Sequence, residues 1–174
     1  MVRRRQLAGS ALAIPLVIAS GRARAQAAWP DRAVRVVVPW PPGGSTDAVA
    51  RILQQRLSER LGQAIVIENR GGASGSIGAG AAAQAAPDGY TWLLAFDTQG
   101  VNASLMRLPF DTVKDFAPVA LIARGPMFLV THKDKPFRSV ADWLAAAKAE
   151  PEKVTYATSG SGTVAHLAMT LLAN

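Results

Sequence analysis

Residues 39–47, Pro-Trp-Pro-Pro-Gly-Gly-Ser-Thr-Asp, contain the residue types from which an anion-binding loop is made. Prolines at 39, 41 and 42 fix φ and disfavour helix before Gly43, while Gly43 and Gly44 permit backbone angles and close ligand approach that other residues resist. Ser45, Thr46 and Asp47 are good N-cap or first-turn residues. A helix that starts here points its free amides, at the positive end of its dipole, into the loop mouth. An anion is the complementary ligand. The same residues would also serve a plain strand-to-helix connection that needs glycine only to turn.

Residues 158–163, Thr-Ser-Gly-Ser-Gly-Thr, repeat this pattern ahead of an apolar run that carries His166. A third polar stretch, Asp97-Thr98-Gln99-Gly100 with Asn102, and a Gly/Ser-rich stretch at 69–80 complete the candidate loops. Other chemistries fit less well. A Walker A loop requires Lys-Ser/Thr after its glycines, and none follows Gly44. Gly78-Ala79-Gly80 with the alanines after it matches a dinucleotide fingerprint formally, but it begins about ten residues after its strand and reads as a close-packed helix. Ser159 or Ser161 with His166, and Asp97 as a third member, would give an exported α/β serine hydrolase. That alternative lacks the Gly-x-Ser-x-Gly elbow. His132 and His166 have no partner at metal-ligand spacing, and no metal or cofactor is implied.

The elements that must position these loops follow from periodicity. Residues 34–38 form an apolar strand. Val49, Leu53, Leu57 and Leu61, with Ile52 beside them, mark an amphipathic helix from about Ala48 to a stop at Gly62. Residues 65–67 give a second strand, so a right-handed parallel unit is expected. A small-residue helix at 79–86, a strand at 91–96 and a short turn opened by Asn102 come next. Strands are expected at 116–123, 127–131 and 154–157. A Ser139-capped helix runs to Glu150, and a last helix begins at Val164. In an open parallel sheet the loops at 39–47, 69–76 and 97–102 share the carboxyl edge, where ligands collect.

The 174 residues are 49% hydrophobic and 18% charged, which suits a globular α/β chain. The formal charge of +7 is concentrated at the start: five arginines precede residue 26, and the rest of the chain is left at +2. No basic stripe with interleaved aromatics survives, so no nucleic-acid partner is expected. There is no cysteine. Arg3-Arg4-Arg5, an apolar run at 7–19 and Ala23-Arg24-Ala25 read as a secretory signal peptide, residues 1–25, cleaved after Ala25. The apolar run is short for a membrane span.

Trp29-Pro30-Asp31-Arg32, residues 39–47 with Arg51, Glu68-Asn69-Arg70-Gly71-Gly72-Ala73, Pro87-Asp88-Gly89-Tyr90-Thr91 and residues 159–166 occur in succession. With these motifs the chain resembles the substrate-binding proteins of tripartite tricarboxylate transporters, the Bug proteins, from Trp29 to its end. The resemblance implies a periplasmic-binding-protein-like α/β fold, with parallel sheets flanked by helices in two lobes. It also implies a non-enzymatic receptor, monomeric when full length, that closes on a small organic anion and delivers it to membrane permease subunits. Positions matching the family's binding loops are Trp40, Gly43, Gly44, Ser45, Thr46 and Asp47 in the first. Thr98 and Asn102 match the loop after the third strand, and Ser159, Gly160, Gly162, Thr163 and His166 the second-lobe loop. Family members are about twice this length, so residues 26–124 are expected to form the first lobe and 125–174 the start of a second, truncated one. After export the mature N-terminus is expected at Gln26. Sequencing the periplasmic protein checks this: an intact Met1 refutes export with cleavage, and a start at Ala28 only moves the site.

Overall fold

The computed structural model describes residues 29–173; the expected signal peptide and its cleavage point lie outside the described residues. Val34–Val38 (β1) is the middle strand of a three-stranded parallel sheet, between Ile65–Asn69 (β2) and Thr91–Leu93 (β3). Val36 stands opposite Ile67 on one side and Trp92 on the other. The order β2-β1-β3 sends the chain to opposite sides of β1 in its two crossovers. Right-handed connections then place Ser45–Leu61 (α1) and Ser76–Ala83 (α2) on opposite faces. Both faces of β1 are therefore covered, which is why it is a continuous valine-rich run. Val34, Val37 and Val38 are fully buried.

On the α1 face Val34, Val36 and Val38 pack with Ala50 and Ile65, and Leu57 and Leu61 close over them. Ile52, expected beside this stripe, points to solvent. Gly62 ends α1 in the left-handed region at φ +67, with its N–H donating to the Ser58 carbonyl at 3.0 Å, the stop expected from its position. α1 begins at Ser45 rather than near Ala48, because Gly44 already has the extended backbone of an N-cap.

α2 begins three residues earlier than expected. The chain turns into it through a 3-10 turn at Ala73–Gly75, made possible by positive φ at Gly72, Ala73, Ser74 and Gly75. β3 stops at Leu93. Phe96 leaves the sheet to pack edge-on against Trp40, and residues expected to form a loop and short turn instead make the helix Thr98–Leu105 (α3). Two further helices follow, Val140–Ala149 (α4) and Val164–Ala173 (α5), both as expected. Ser139 caps α4 by accepting the Asp142 N–H at 3.1 Å, while Asp142 accepts from Arg138 N–H at 2.9 Å.

The strands expected at 116–123, 127–131 and 154–157 are not formed. An apolar run makes a strand only where a neighbouring edge accepts the backbone, and no described residues supply one there. Val119, Phe128 and Val130 consequently stand more than three-quarters exposed.

One close approach fixes where the β1–α1 loop sits. A Cβ on Gly78 of α2 would lie 2.7 Å from the Arg70 carbonyl oxygen and 2.8 Å from Pro39 Cα, so only glycine lets α2 press against both loop starts. Gly78→Ala is expected to destabilise the protein by ~1 to 3 kcal/mol through overpacking, against the ~1 kcal/mol that alanine usually adds within a helix. Urea unfolding of the full-length protein measures this, and a neutral or stabilised variant would contradict the packing described.

Candidate functional site

In a sheet of order β2-β1-β3 the topological switch lies between β1 and β3, and the crevice outside their carboxyl ends is the natural ligand position. The loop after β1 and the loop after β3 flank it. They touch through Trp40 and Phe96, whose ring centroids are 6.4 Å apart in an edge-to-face arrangement. Open depressions elsewhere, one against α2 at Ile77, Ala81 and Pro109 and one after α3 at Met106, Arg107 and Phe110, include no residue of the loops after β1, β2 or β3.

Asp47 organises the first loop. Its carboxylate is 2% exposed and accepts from Arg51 Nε at 2.8 Å, Gly43 N–H at 2.9 Å and Asn69 Nδ2 at 3.0 Å. Asn69 also donates to the Trp40 carbonyl at 3.1 Å, tying the end of β2 to the loop after β1. The Arg51 guanidinium first, then the Gly43 amide and the Asn69 amide, hold the Asp47 carboxyl well below the usual carboxylate range. Asp47 is thus turned inward to hold the loop. Gly43 adopts φ +84 and spends its N–H on Asp47. The helix start itself stays open: Gly44 gives α1 no side-chain cap, and the Ser45 and Thr46 N–H groups have no acceptor within the described residues. Thr46 is buried and Ser45 exposed.

The second loop closes on itself. Gly160 N–H reaches Thr158 Oγ1 at 3.4 Å, Thr163 N–H reaches the Gly160 carbonyl at 3.3 Å, and Gly162 N–H donates to His166 Nδ1 at 3.1 Å. Thr163 Oγ1 donates to the Gly160 carbonyl and accepts from His166 N–H, which caps α5. The amides of Gly160, Gly162 and Thr163 are therefore engaged within the loop, and His166 is one of its struts. Among the described residues, neither Ser159 nor Ser161 hydrogen-bonds to His166 through its hydroxyl, and no carboxylate orients that ring.

This loop docks on the carboxyl edge of the sheet. Ser74 Oγ donates to the Ser161 carbonyl, and Gly162 lies so close to Leu105 that an added Cβ would meet Cδ1 at 3.1 Å. Ser74 is itself held, its carbonyl accepting Asn102 Nδ2 at 3.0 Å, while its φ of +53 is unusual for a side-chain-bearing residue. Ser74 and Asn69 are contributors that reading the sequence did not single out, although both lie in the stretch marked as a polar loop. Their partners lie 87 and 22 residues away, and no local spacing encodes that.

Three buried polar side-chain atoms have no hydrogen-bond partner among the described residues: Trp40 Nε1, Asp97 Oδ1 and Asn102 Oδ1. All three belong to the loops and helix start at the carboxyl ends of β1 and β3. Asn102 is 2% exposed and Thr98, one turn before it, is 3% exposed. Burial pushes the Asp97 carboxyl above its ordinary value, although the Thr98 and Val164 N–H groups favour its charged form.

The profile of the tripartite tricarboxylate transporter family receptor matches residues 49–174, most of the chain. The chain belongs to this receptor family. It is 41% identical over 142 residues to Protein BugT of Bordetella pertussis, covering 80% of this chain and 44% of that protein. It is 43% identical over 172 residues to the UPF0065 protein in the tcbD-tcbE intergenic region of Pseudomonas sp. strain P51, covering 98% of this chain and 51% of that protein. The chain thus spans about half the length of the curated relatives it matches. A solved R. palustris protein with adipate superposes with a TM-score of 0.75 at 39% identity, covering 82% of this chain and 48% of that one. MatC from Rhodopseudomonas palustris with bound malate gives 0.71 at 34% identity, covering 82% and 51%. The periplasmic binding protein BugD gives 0.66 at 33% identity, covering 83% and 48%. The α/β architecture with a parallel sheet and flanking helices is therefore that of periplasmic binding proteins.

For this receptor chain the depressed Asp47 carboxyl has a defined pH signature. Its stabilisation is fully present above the unfolded carboxylate value, about 3.9, and is lost as pH falls towards the much lower folded value. Asp47→Asn is expected to be less stable than the parent at pH 7, with the difference shrinking progressively below about pH 4. Denaturant unfolding across that range tests this. A variant as stable as the parent at neutral pH would refute the account.

Proposed function

We propose that this chain is part of a periplasmic receptor that binds a small organic carboxylate and delivers it to the membrane permease subunits of a tripartite tricarboxylate transporter, without catalysing a reaction. The observation that carries this reading is the open N-terminus of α1. Its first-turn amides follow directly on the loop at the carboxyl end of β1, with no side-chain cap competing for them. Neither anion-loop stretch contains Lys or Arg. Backbone donors suffice for a carboxylate, because a helix end contributes ~0.3 to 1 kcal/mol, up to ~2 when partly buried, and each hydrogen bond to a charged group ~1.5 to 3 kcal/mol. Solved relatives with adipate and with malate support the ligand class.

In this reading residues 26–124 make the first lobe and 125–174 open the second, and the protein is exported through a cleaved signal peptide and acts as a monomer. Trp40, Gly44, Ser45 and Thr46 line the first-lobe side of the ligand, with Thr98 and Asn102 beside them. Gly43 and Asp47 shape that loop, and Ser159, Gly160, Gly162, Thr163 and His166 build the facing one. The serine hydrolase alternative finds no support in the Ser–His geometry.

Gly44 offers a clean test. Its φ is −75 and an added Cβ would meet only the Pro41 carbonyl oxygen, at 3.5 Å, so Gly44→Val is tolerated by the fold but intrudes on ligand approach. Ligands retained by the full-length protein are identified by native mass spectrometry and then titrated calorimetrically. Gly44→Val is expected to weaken binding by about tenfold or more, or ~1.4 kcal/mol, and Arg51→Ala by less. If Arg51→Ala abolishes binding while Gly44→Val stays within about threefold, the backbone-amide reading is wrong.

A further inference from the structure

We infer that Asp97 is a specificity-determining residue of this crevice, selecting carboxylates that also carry a hydrogen-bond donor, a hydroxyl or an ammonium, over plain carboxylates of the same skeleton. The inference rests on the carboxylate-binding reading above. It begins from the unpartnered atoms: two acceptors, Asp97 Oδ1 and Asn102 Oδ1, and one donor, Trp40 Nε1, collected at the carboxyl edge around the switch point. A buried polar atom without a partner is costly, so a ligand is favoured when it brings the complementary group. Trp40 Nε1 and the α1 amides ask for an acceptor, which a carboxylate supplies. Asp97 and Asn102 ask for a donor, which a second carboxylate cannot supply unless it is protonated.

Placement supports this. Asp97 stands at the carboxyl end of β3, directly before α3. Phe96, its neighbour in sequence, packs on Trp40. Asn102 lies on α3, which begins immediately after Asp97, and its amide nitrogen is already committed to the Ser74 carbonyl. The free acceptors thus lie on the β3–α3 side and the free donors on the β1–α1 side. That polarity suits an amino- or hydroxy-carboxylate lying across the crevice. A negative Asp97 also repels any ligand group that is itself anionic.

The test uses the full-length protein and matched sets: succinate, malate and aspartate; phenylpropionate, phenyllactate and phenylalanine. In calorimetric titration the hydroxy or amino member of the accepted set is expected to bind about tenfold or more tighter than its unsubstituted counterpart. Asp97→Ala and Asp97→Leu, which remove the acceptor, are expected to shrink that ratio to about threefold or less. The ratio is read within one preparation, so a partly misfolded variant lowers active concentration for all ligands alike. If the unsubstituted member binds as tightly as its relatives in the parent protein, the inference is overturned. A parent ratio that persists in both variants overturns it too and leaves carboxylate binding intact. Binding of neither set by the parent overturns the carboxylate reading, and the inference with it.

Discussion

The buried carboxylate of Asp47 is the contact on which the local architecture depends. A charge with so little solvent contact is tolerated only when its lone pairs are used, and three donors use them: an arginine one turn along the same helix, a main-chain amide four residues back, and an asparagine from the neighbouring strand. These partners join three pieces of chain that propensity alone would leave independent. Removing the carboxylate would take this acceptor from all three donors at once, so the loop after β1 has one shape. That shape leaves the following helix start uncapped and its amides presented outward.

Around this knot, glycine and valine divide the work. Valines of β1 fill the space between two helical layers. Gly78 lets the second layer approach closely enough that Pro39 and Arg70 are held against it. The carboxyl edge is therefore rigid where it meets the sheet, and its polar groups are carried on short leads from rigid elements. Among the described residues, left-handed backbone at side-chain-bearing positions occurs at Ala73 and Ser74, where it is anchored by Asn102 on one side and by the Ser161 carbonyl on the other.

Much of the fold was legible locally. The apolar strand at 34–38, the stop at Gly62 and the cap at Ser139 each rest on residues within one or two turns of one another, and each is found. Three strands expected from apolar runs are absent because a strand requires a partner edge, which no run of side chains announces. The candidate site divides in the same way. Loop chemistry at 43–47 and 158–163 could be read from composition. Which amides are free could not, because Asp47, Thr158, Thr163 and His166 claim several of them through contacts visible only in three dimensions. Asp97 was read as part of a polar loop or a triad member, whereas burial makes it a carboxyl in need of a partner.

The absence of a side-chain cap on α1 bears on how such a receptor can evolve. Amides are present at every non-proline position, so an anchor made from the main chain of residues 45 and 46 depends little on which side chains those two residues carry, provided the turn and the bare Gly44 before them are kept. Point substitutions elsewhere along the crevice wall can then change which molecular tail is accepted without touching the grip on the head group. Recognition and diversification are assigned to different parts of the covalent structure, and one scaffold can be retuned to new ligands by single substitutions.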